Sequence, residues 1–263
     1  MELDDAYSNA PYIADAAAYP PRWTAKAEAY RAAQGDGARL GEHYGPGARQ
    51  RFDLFLPPGA PAGLIVFVHG GYWKAFDRTV WSHLARGGVE AGWAVALPGY
   101  DLCPDVRISD ITQQTVQAVT AIAELVSGDI VLTGHSAGGH LVSRMLAPDL
   151  LPAEVAARVR RAIPISPVAD LRPLLETSMN KILQLDPAEA AAESPVNQPA
   201  PRDVDVSVWV GGDERPAFLD QARWLADAWG IGHVVVPGKH HFDVIEALED
   251  RDSTLLGLLT GRG

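Results

Sequence analysis

The chain has 263 residues, 47% hydrophobic and 21% charged, with a formal net charge of −11 and one cysteine, Cys103. That length suits one α/β domain with a sizeable core, and the negative charge argues against nucleic acid or anionic membrane, whose phosphates would be repelled. The lone cysteine excludes an internal disulfide, the acidic start Met1-Glu2-Leu3-Asp4-Asp5 is unlike a signal peptide and no apolar run has bilayer-spanning length, so a cytoplasmic protein is expected.

Residues 1–36, rich in Ala, Tyr and Pro, read as a wrap around the domain, with a helical piece at 23–33 after Pro20-Pro21. The simpler expectation for Tyr7, Tyr12, Tyr19, Trp23 and Tyr30 is packing on the outside of the sheet; the alternative is that they reach a site. Two strands are expected at 39–44 and 50–56. In the second, Phe52, Leu54 and Leu56 alternate with Arg51, Asp53 and Phe55, which suggests an edge hairpin with one wet face. Leu64-Ile65-Val66-Phe67-Val68 is an unbroken apolar run and therefore a central strand covered on both faces.

From there strand and helix alternate. Helices are expected at 78–90, 111–125 and 218–229, with a last one from about Phe242. Strands are expected at 93–97, 129–132, 162–165, 204–210 and 233–236. Such alternation means βαβ units, and hence an α/β fold with a mostly parallel sheet and helices on both faces. No repeat, low-complexity tract or linker divides residues 1–263. The one long interruption, residues 166–201, reads as a small cap or lid with a helix near 170–185.

The stretch that organises the chain is Gly134-His135-Ser136-Ala137-Gly138, between the strand at 129–132 and the apolar spacing of Leu141-Val142-Ser143-Arg144-Met145-Leu146. A strand that turns into a helix within two or three residues leaves no room beside the turning residue. Gly134 and Gly138 supply that room, so that Ser136 projects its hydroxyl above the sheet beside free helix N–H groups. This reads as a nucleophile elbow, with an ordinary glycine-rich turn as the plain alternative.

A serine hydroxyl needs a base, and the base needs an acid to hold its tautomer. Asp213, after the strand at 204–210, is the expected acid; an ordinary turn aspartate is the plain alternative. Asp170, after the preceding strand, is the runner-up, and Glu214 should point elsewhere. The expected base is His241, with Phe242 anchoring its loop, and His240 is the alternative. A metal site from His135 and His140 is not expected, since no carboxylate or cysteine cluster accompanies them. No cofactor is expected. His69-Gly70-Gly71-Tyr72-Trp73 follows the central strand, and its glycines let N–H groups approach an oxyanion, with the N–H of Ala137 as the other donor.

With His69-Gly70-Gly71-Tyr72-Trp73, the elbow, Asp213 and His241 in this order, the chain resembles the α/β-hydrolase superfamily. Within it, the resemblance is to the kynurenine formamidase (arylformamidase) and carboxylesterase-like branch, over most of its length. Lipase-like esterases usually carry a third glycine where this chain has Tyr72. The resemblance implies oxyanion amides at Gly71 and Tyr72, beside Gly70, and a triad of Ser136, Asp213 and His241. It implies a serine hydrolase acting on a small molecule, an N-formyl-kynurenine-like aryl formamide or, alternatively, a short-chain ester. Tyr72, Trp73, Phe76 and Tyr100 are the candidates for a flat apolar substrate wall, with core packing an equal alternative. A homodimer is compatible with the sequence. A catalytically silent binding protein would be expected to lack a triad member, and none is missing.

Overall fold

Strand β3 (Gly63–Val68) is buried at all 6 positions and divides its side chains between two cores. Leu64, Val66 and Val68 join one core and Ile65 and Phe67 the other, as the two-residue period of a strand requires. The computed structural model describes residues 2–262. Its other strands are β1 (Ala38–His43), β2 (Arg51–Phe55), β4 (Ala94–Pro98), β5 (Asp129–His135), β6 (Val159–Ile165), β7 (Asp205–Gly211) and β8 (Gly232–Val236). They form an 8-stranded sheet in the order β1-β2-β4-β3-β5-β6-β7-β8. Pairing is antiparallel from β1 through β2 to β4 and parallel everywhere else. This is the α/β-hydrolase fold.

The first core is closed by helices Ile108–Leu125, Ala137–Arg144 and Pro216–Trp229, which bury Ile111, Ile122, Leu141, Phe218 and Leu225. The second is closed by helix Tyr19–Gln34 and helix Thr254–Thr260, with Trp23, Tyr30, Leu255 and Leu259 inside. Strand order brings the carboxyl ends of β3, β5, β6 and β7 side by side, where ligands bind in open α/β sheets.

Several elements differ from expectation for identifiable reasons. The second strand has no wet face, because β1 takes the edge and Tyr30 packs against Phe55, ring centres 5.3 Å apart. Its Asp53 is buried, and its Oδ1 accepts from both the amide of Gly41 at 2.8 Å and Arg78 Nε at 3.1 Å. The helix expected at 78–90 is broken into turns Arg78–Val80 and Ser82–Ala85 and a helix Arg86–Glu90, the first capped by Asp77. The last helix begins only at Thr254, capped by Ser253, after a turn at Val244–Glu249. Residues 166–201 hold short turns and helices, Arg172–Glu176, Asn180–Leu183, Pro187–Ala192 and Pro195–Asn197, in place of one helix at 170–185.

The cores also enclose histidines. Burial pushes His69 and His140 down to about 4 and His83 to about 3, from the usual 6.5. The unfolded chain therefore takes up these protons first. Stability should be complete above the usual histidine value and decline as pH falls towards about 4, by at most about 1.4 kcal/mol per pH unit for each histidine. Thermal melts should show Tm falling between about pH 7 and about pH 5; an unchanged Tm would mean that these rings are charged in the fold.

Candidate active site

Strand β5 runs through His135 directly into the helix that starts at Ala137. Ser136 occupies the turn with φ 57° and ψ −116°. A non-glycine residue held there stores on the order of 1–3 kcal/mol of strain, which the surrounding bonds must sustain. The Ser136 N–H donates to the Ile165 carbonyl at 2.8 Å, and the His140 N–H donates to the Ser136 carbonyl at 3.0 Å. Gly138 is required by proximity: a Cβ there would lie 1.9 Å from the Val68 carbonyl oxygen. The elbow is thus wedged between the ends of β3 and β6.

The loop after β3 is as constrained. Gly71 has φ 114°, and Tyr72 and Trp73 follow at 51° and 54°. The loop is fixed from behind. Tyr100 stacks on His69 with ring centres 4.4 Å apart and donates its hydroxyl to the His69 carbonyl at 2.9 Å. The Cys103 N–H donates to the Trp73 carbonyl at 2.8 Å. Trp73 itself is fully buried, edge-on to His140 at 5.0 Å. Among the described residues, no acceptor engages the N–H groups of Gly70, Gly71, Tyr72 or Ala137.

His241 is buried, and its Nδ1 lies 2.5 Å from Glu214 Oε2. Phe218 and His135 flank the ring, with centroids at 4.2 Å and 4.5 Å. Burial first, and the neighbouring His241 second, hold His135 well below the usual histidine value, so it stays neutral beside His241. His240 is engaged elsewhere: its Nε2 meets the Tyr19 hydroxyl at 3.1 Å and its Nδ1 accepts from the Phe242 N–H at 3.1 Å. Among the described residues, Ser136 Oγ makes no hydrogen bond and faces the same cavity as His241.

The expected acid is corrected here. Asp213 is exposed, whereas Glu214 is buried and holds His241. The reason is a turn: the Glu214 N–H reaches back to the Gly211 carbonyl at 3.4 Å, which leaves Asp213 at the outer corner. The Asp213 N–H is meanwhile tied to the Lys239 carbonyl at 2.9 Å. Asp213 is the ordinary turn aspartate that the sequence also allowed. Asp170 is paired with Arg172, Nη2 to Oδ2 at 2.6 Å, and makes no bond to His241.

A cavity of about 490 Å³ lies over Ser136 and His241. Gly70, Gly71, Tyr72 and Phe76 line it, as do Trp23, Trp81 and Phe242, the polar Asn9, and the charged Asp4 and Lys74. Of the expected aromatic wall, Tyr72 and Phe76 are therefore in place. Trp73 and Tyr100 are not; both lie in the core behind the loop and position it. Sequence reasoning missed Trp81, Met179 and Ile182, which line the cavity from short turns and a short helix with no motif of their own. Of the N-terminal aromatics, Tyr7 and Trp23 line the cavity, Tyr12 covers Arg215 at 3.5 Å, and Tyr30 packs in the core. Tyr7 is held there by two bonds: Tyr72 Oη donates to its carbonyl at 2.7 Å and Gln221 donates to its hydroxyl at 2.8 Å. Among the described residues no helix is long and apolar enough to cross a membrane.

Fold and site together define a hydrolase of the α/β type, and the chain belongs to the alpha/beta hydrolase family, whose sequence pattern matches residues 65–254. Its relatives include the kynurenine formamidase of Salmo salar, 30% identical over 82% of this chain and 79% of that protein. The kynurenine formamidase of Drosophila melanogaster is 31% identical over 80% of this chain and 77% of its own. A crystal structure of a candidate thioesterase from Silicibacter sp. TM1040 superposes with a TM-score of 0.97, at 61% identity over 99% of both chains. Esterase B of Lactobacillus Rhamnosis shares the fold, with a TM-score of 0.66 at 19% identity over 94% of this chain and 92% of the other.

Proposed function

We propose that the protein is a serine hydrolase that works through an acyl-enzyme, with Ser136 as nucleophile, His241 as base and Glu214 as the acid. The observation that supports this most is the Glu214–His241 pair on the wall of the cavity that also exposes the strained Ser136 turn. His241 takes the Ser136 proton through Nε2 as Oγ attacks a carbonyl carbon. The N–H groups of Gly71, Tyr72 and Ala137 receive the oxyanion, each worth on the order of 3 kcal/mol. His241 then passes the proton to the departing amine or alcohol, and water releases the acyl group. Glu214 accepts Nδ1–H, which fixes the tautomer and stabilises the imidazolium.

For substrate we favour an aryl formamide of the N-formyl-kynurenine kind. Trp23, Tyr72, Phe76, Trp81 and Phe242 offer flat surfaces for an aryl ring. The kynurenine formamidase relatives support the same choice over four-fifths of the chain. Residues 166–201 act as a cap in this reading, contributing Met179 and Ile182 to the cavity. A second reading, cleavage of short acyl esters or thioesters by the same groups, is favoured by the 61% identity to the candidate thioesterase.

Side-by-side turnover separates the two. N-formyl-kynurenine should give a higher kcat/KM than p-nitrophenyl acetate, butyrate or octanoate, or an acetyl thioester. The reverse order would establish the second reading. Failure of a fluorophosphonate to label Ser136 would overturn both and leave a binding protein on a hydrolase scaffold.

A further inference from the structure

Glu214 uses both carboxylate oxygens. Oε2 takes His241, and Oε1 accepts from the Ser166 hydroxyl at 2.5 Å and from the Gly211 N–H at 2.9 Å. Ser166 is fully buried, the first residue past β6, with φ 46°. A serine kept out of water in a left-handed conformation is strained, and the only side-chain bond it makes among the described residues is to Glu214. Its N–H is fixed by the Trp209 carbonyl on β7 at 2.7 Å. The residue before it, Ile165, holds the Ser136 N–H through its carbonyl. β6 lies between β5, which carries the nucleophile, and β7, which carries the acid.

We propose that Ser166 is a positioning residue for the hydrolytic reaction: its hydroxyl fixes the Glu214 carboxylate in the rotamer that holds His241. The inference rests on the serine-hydrolase reading above. A glutamate has one more rotatable bond than an aspartate, so its carboxylate needs an outside constraint to stay in line with the imidazole. Ser166 and the Gly211 N–H supply it. The dipeptide Ile165-Ser166 then sets the nucleophile with its first residue and the acid with its second. The spacing between nucleophile and acid is built into three adjacent strands.

Removing the hydroxyl has a signature that packing alone would not produce. A donor to a carboxylate favours its charged form, so its loss lets Glu214 protonate more readily. It also leaves the remaining charge to act more strongly on the imidazolium. Both effects move the acid limb of the activity profile to higher pH. Near the pair lie His135 on the elbow, which stays neutral, Tyr72 on the loop after β3, whose hydroxyl burial pushes up and keeps protonated, and Asp213, Arg215 and His240, which line a pocket together with Glu214 and His241.

The test compares wild type, Ser166→Ala, Glu214→Gln and the double variant, reading p-nitrophenyl acetate turnover and the rate of fluorophosphonate labelling of Ser136. Ser166→Ala should lower kcat on the order of 10- to 100-fold, the loss of one charge-assisted hydrogen bond. KM should stay within about twofold, and the acid limb should move up in pH. In the Glu214→Gln background the same change should cost little further, because Ser166 acts through that carboxylate. Equal losses in both backgrounds, or a Ser166→Ala enzyme with wild-type kcat and an unmoved acid limb, would overturn the proposal. A wild type that neither turns over nor labels would overturn the serine-hydrolase reading beneath it. If Ser166→Ala does not fold, Ser166→Gly, which suits the positive φ, carries the same comparison.

Discussion

Replacing Ser136 by alanine should abolish turnover, by roughly a millionfold, while leaving the fold intact. The two halves of that expectation have different sources. Ser136 Oγ makes no hydrogen bond among the described residues, so deleting it orphans no buried partner. The bonds that hold the turn run through the backbone, to Ile165 and from His140, and survive in alanine. The strain of φ 57° falls equally on alanine, so Tm should change little. The chemistry has no such reserve, because in this reading the Ser136 oxygen is itself the attacking atom. Turnover within tenfold of wild type in Ser136→Ala would remove Ser136 from the reaction, and circular dichroism with thermal melting checks that the fold is unchanged.

Why the elbow was legible in the sequence, and the acid was not, follows from how each is encoded. At the elbow the backbone itself is under constraint. Only glycine fits where Gly138 meets the Val68 carbonyl, so the constraint is written as residue type at fixed spacing. The free amides of the loop after β3 are encoded the same way, in Gly70-Gly71. The proposed acid is a side chain at the end of a turn, and either Asp213 or Glu214 fits the spacing. What decides between them is a tertiary contact, the alignment of residues 212–213 with the end of β8 through the Val236 and Lys239 carbonyls. Substrate-wall residues are harder still. Trp73 and Tyr100 are near the motif in sequence but turn into the core. Trp23 comes from helix Tyr19–Gln34 and Trp81 from between two short turns, both distant in sequence from the β3 loop that folds against them, Trp23 to Trp81 at 4.7 Å and Trp23 to Phe76 at 6.0 Å. Aromatic character is common to core and cavity, and sequence spacing does not say which a ring enters.

Glu214→Gln should fold, yet lose on the order of 10⁴ in turnover, while Asp213→Asn should stay near wild type. The carboxylate of Glu214 accepts three bonds, from His241, Ser166 and the Gly211 N–H. Glutamine keeps one carbonyl oxygen and presents an NH₂ at the other position. If the oxygen stays with Ser166 and Gly211, the NH₂ faces His241 Nδ1 and can only donate, which forces the proton onto Nε2. The imidazole then has no lone pair for the serine proton, and the charge that would stabilise the imidazolium is gone. If the amide flips, two donors, the Ser166 hydroxyl and the Gly211 N–H, face an NH₂, so that orientation is disfavoured. Asp213 has an exposed side chain and no part in these bonds, so its amide changes only surface charge. Turnover of both variants on one ester decides the matter: a crippled Asp213→Asn beside an active Glu214→Gln would return the acid to Asp213 and make the Glu214–His241 bond a structural contact.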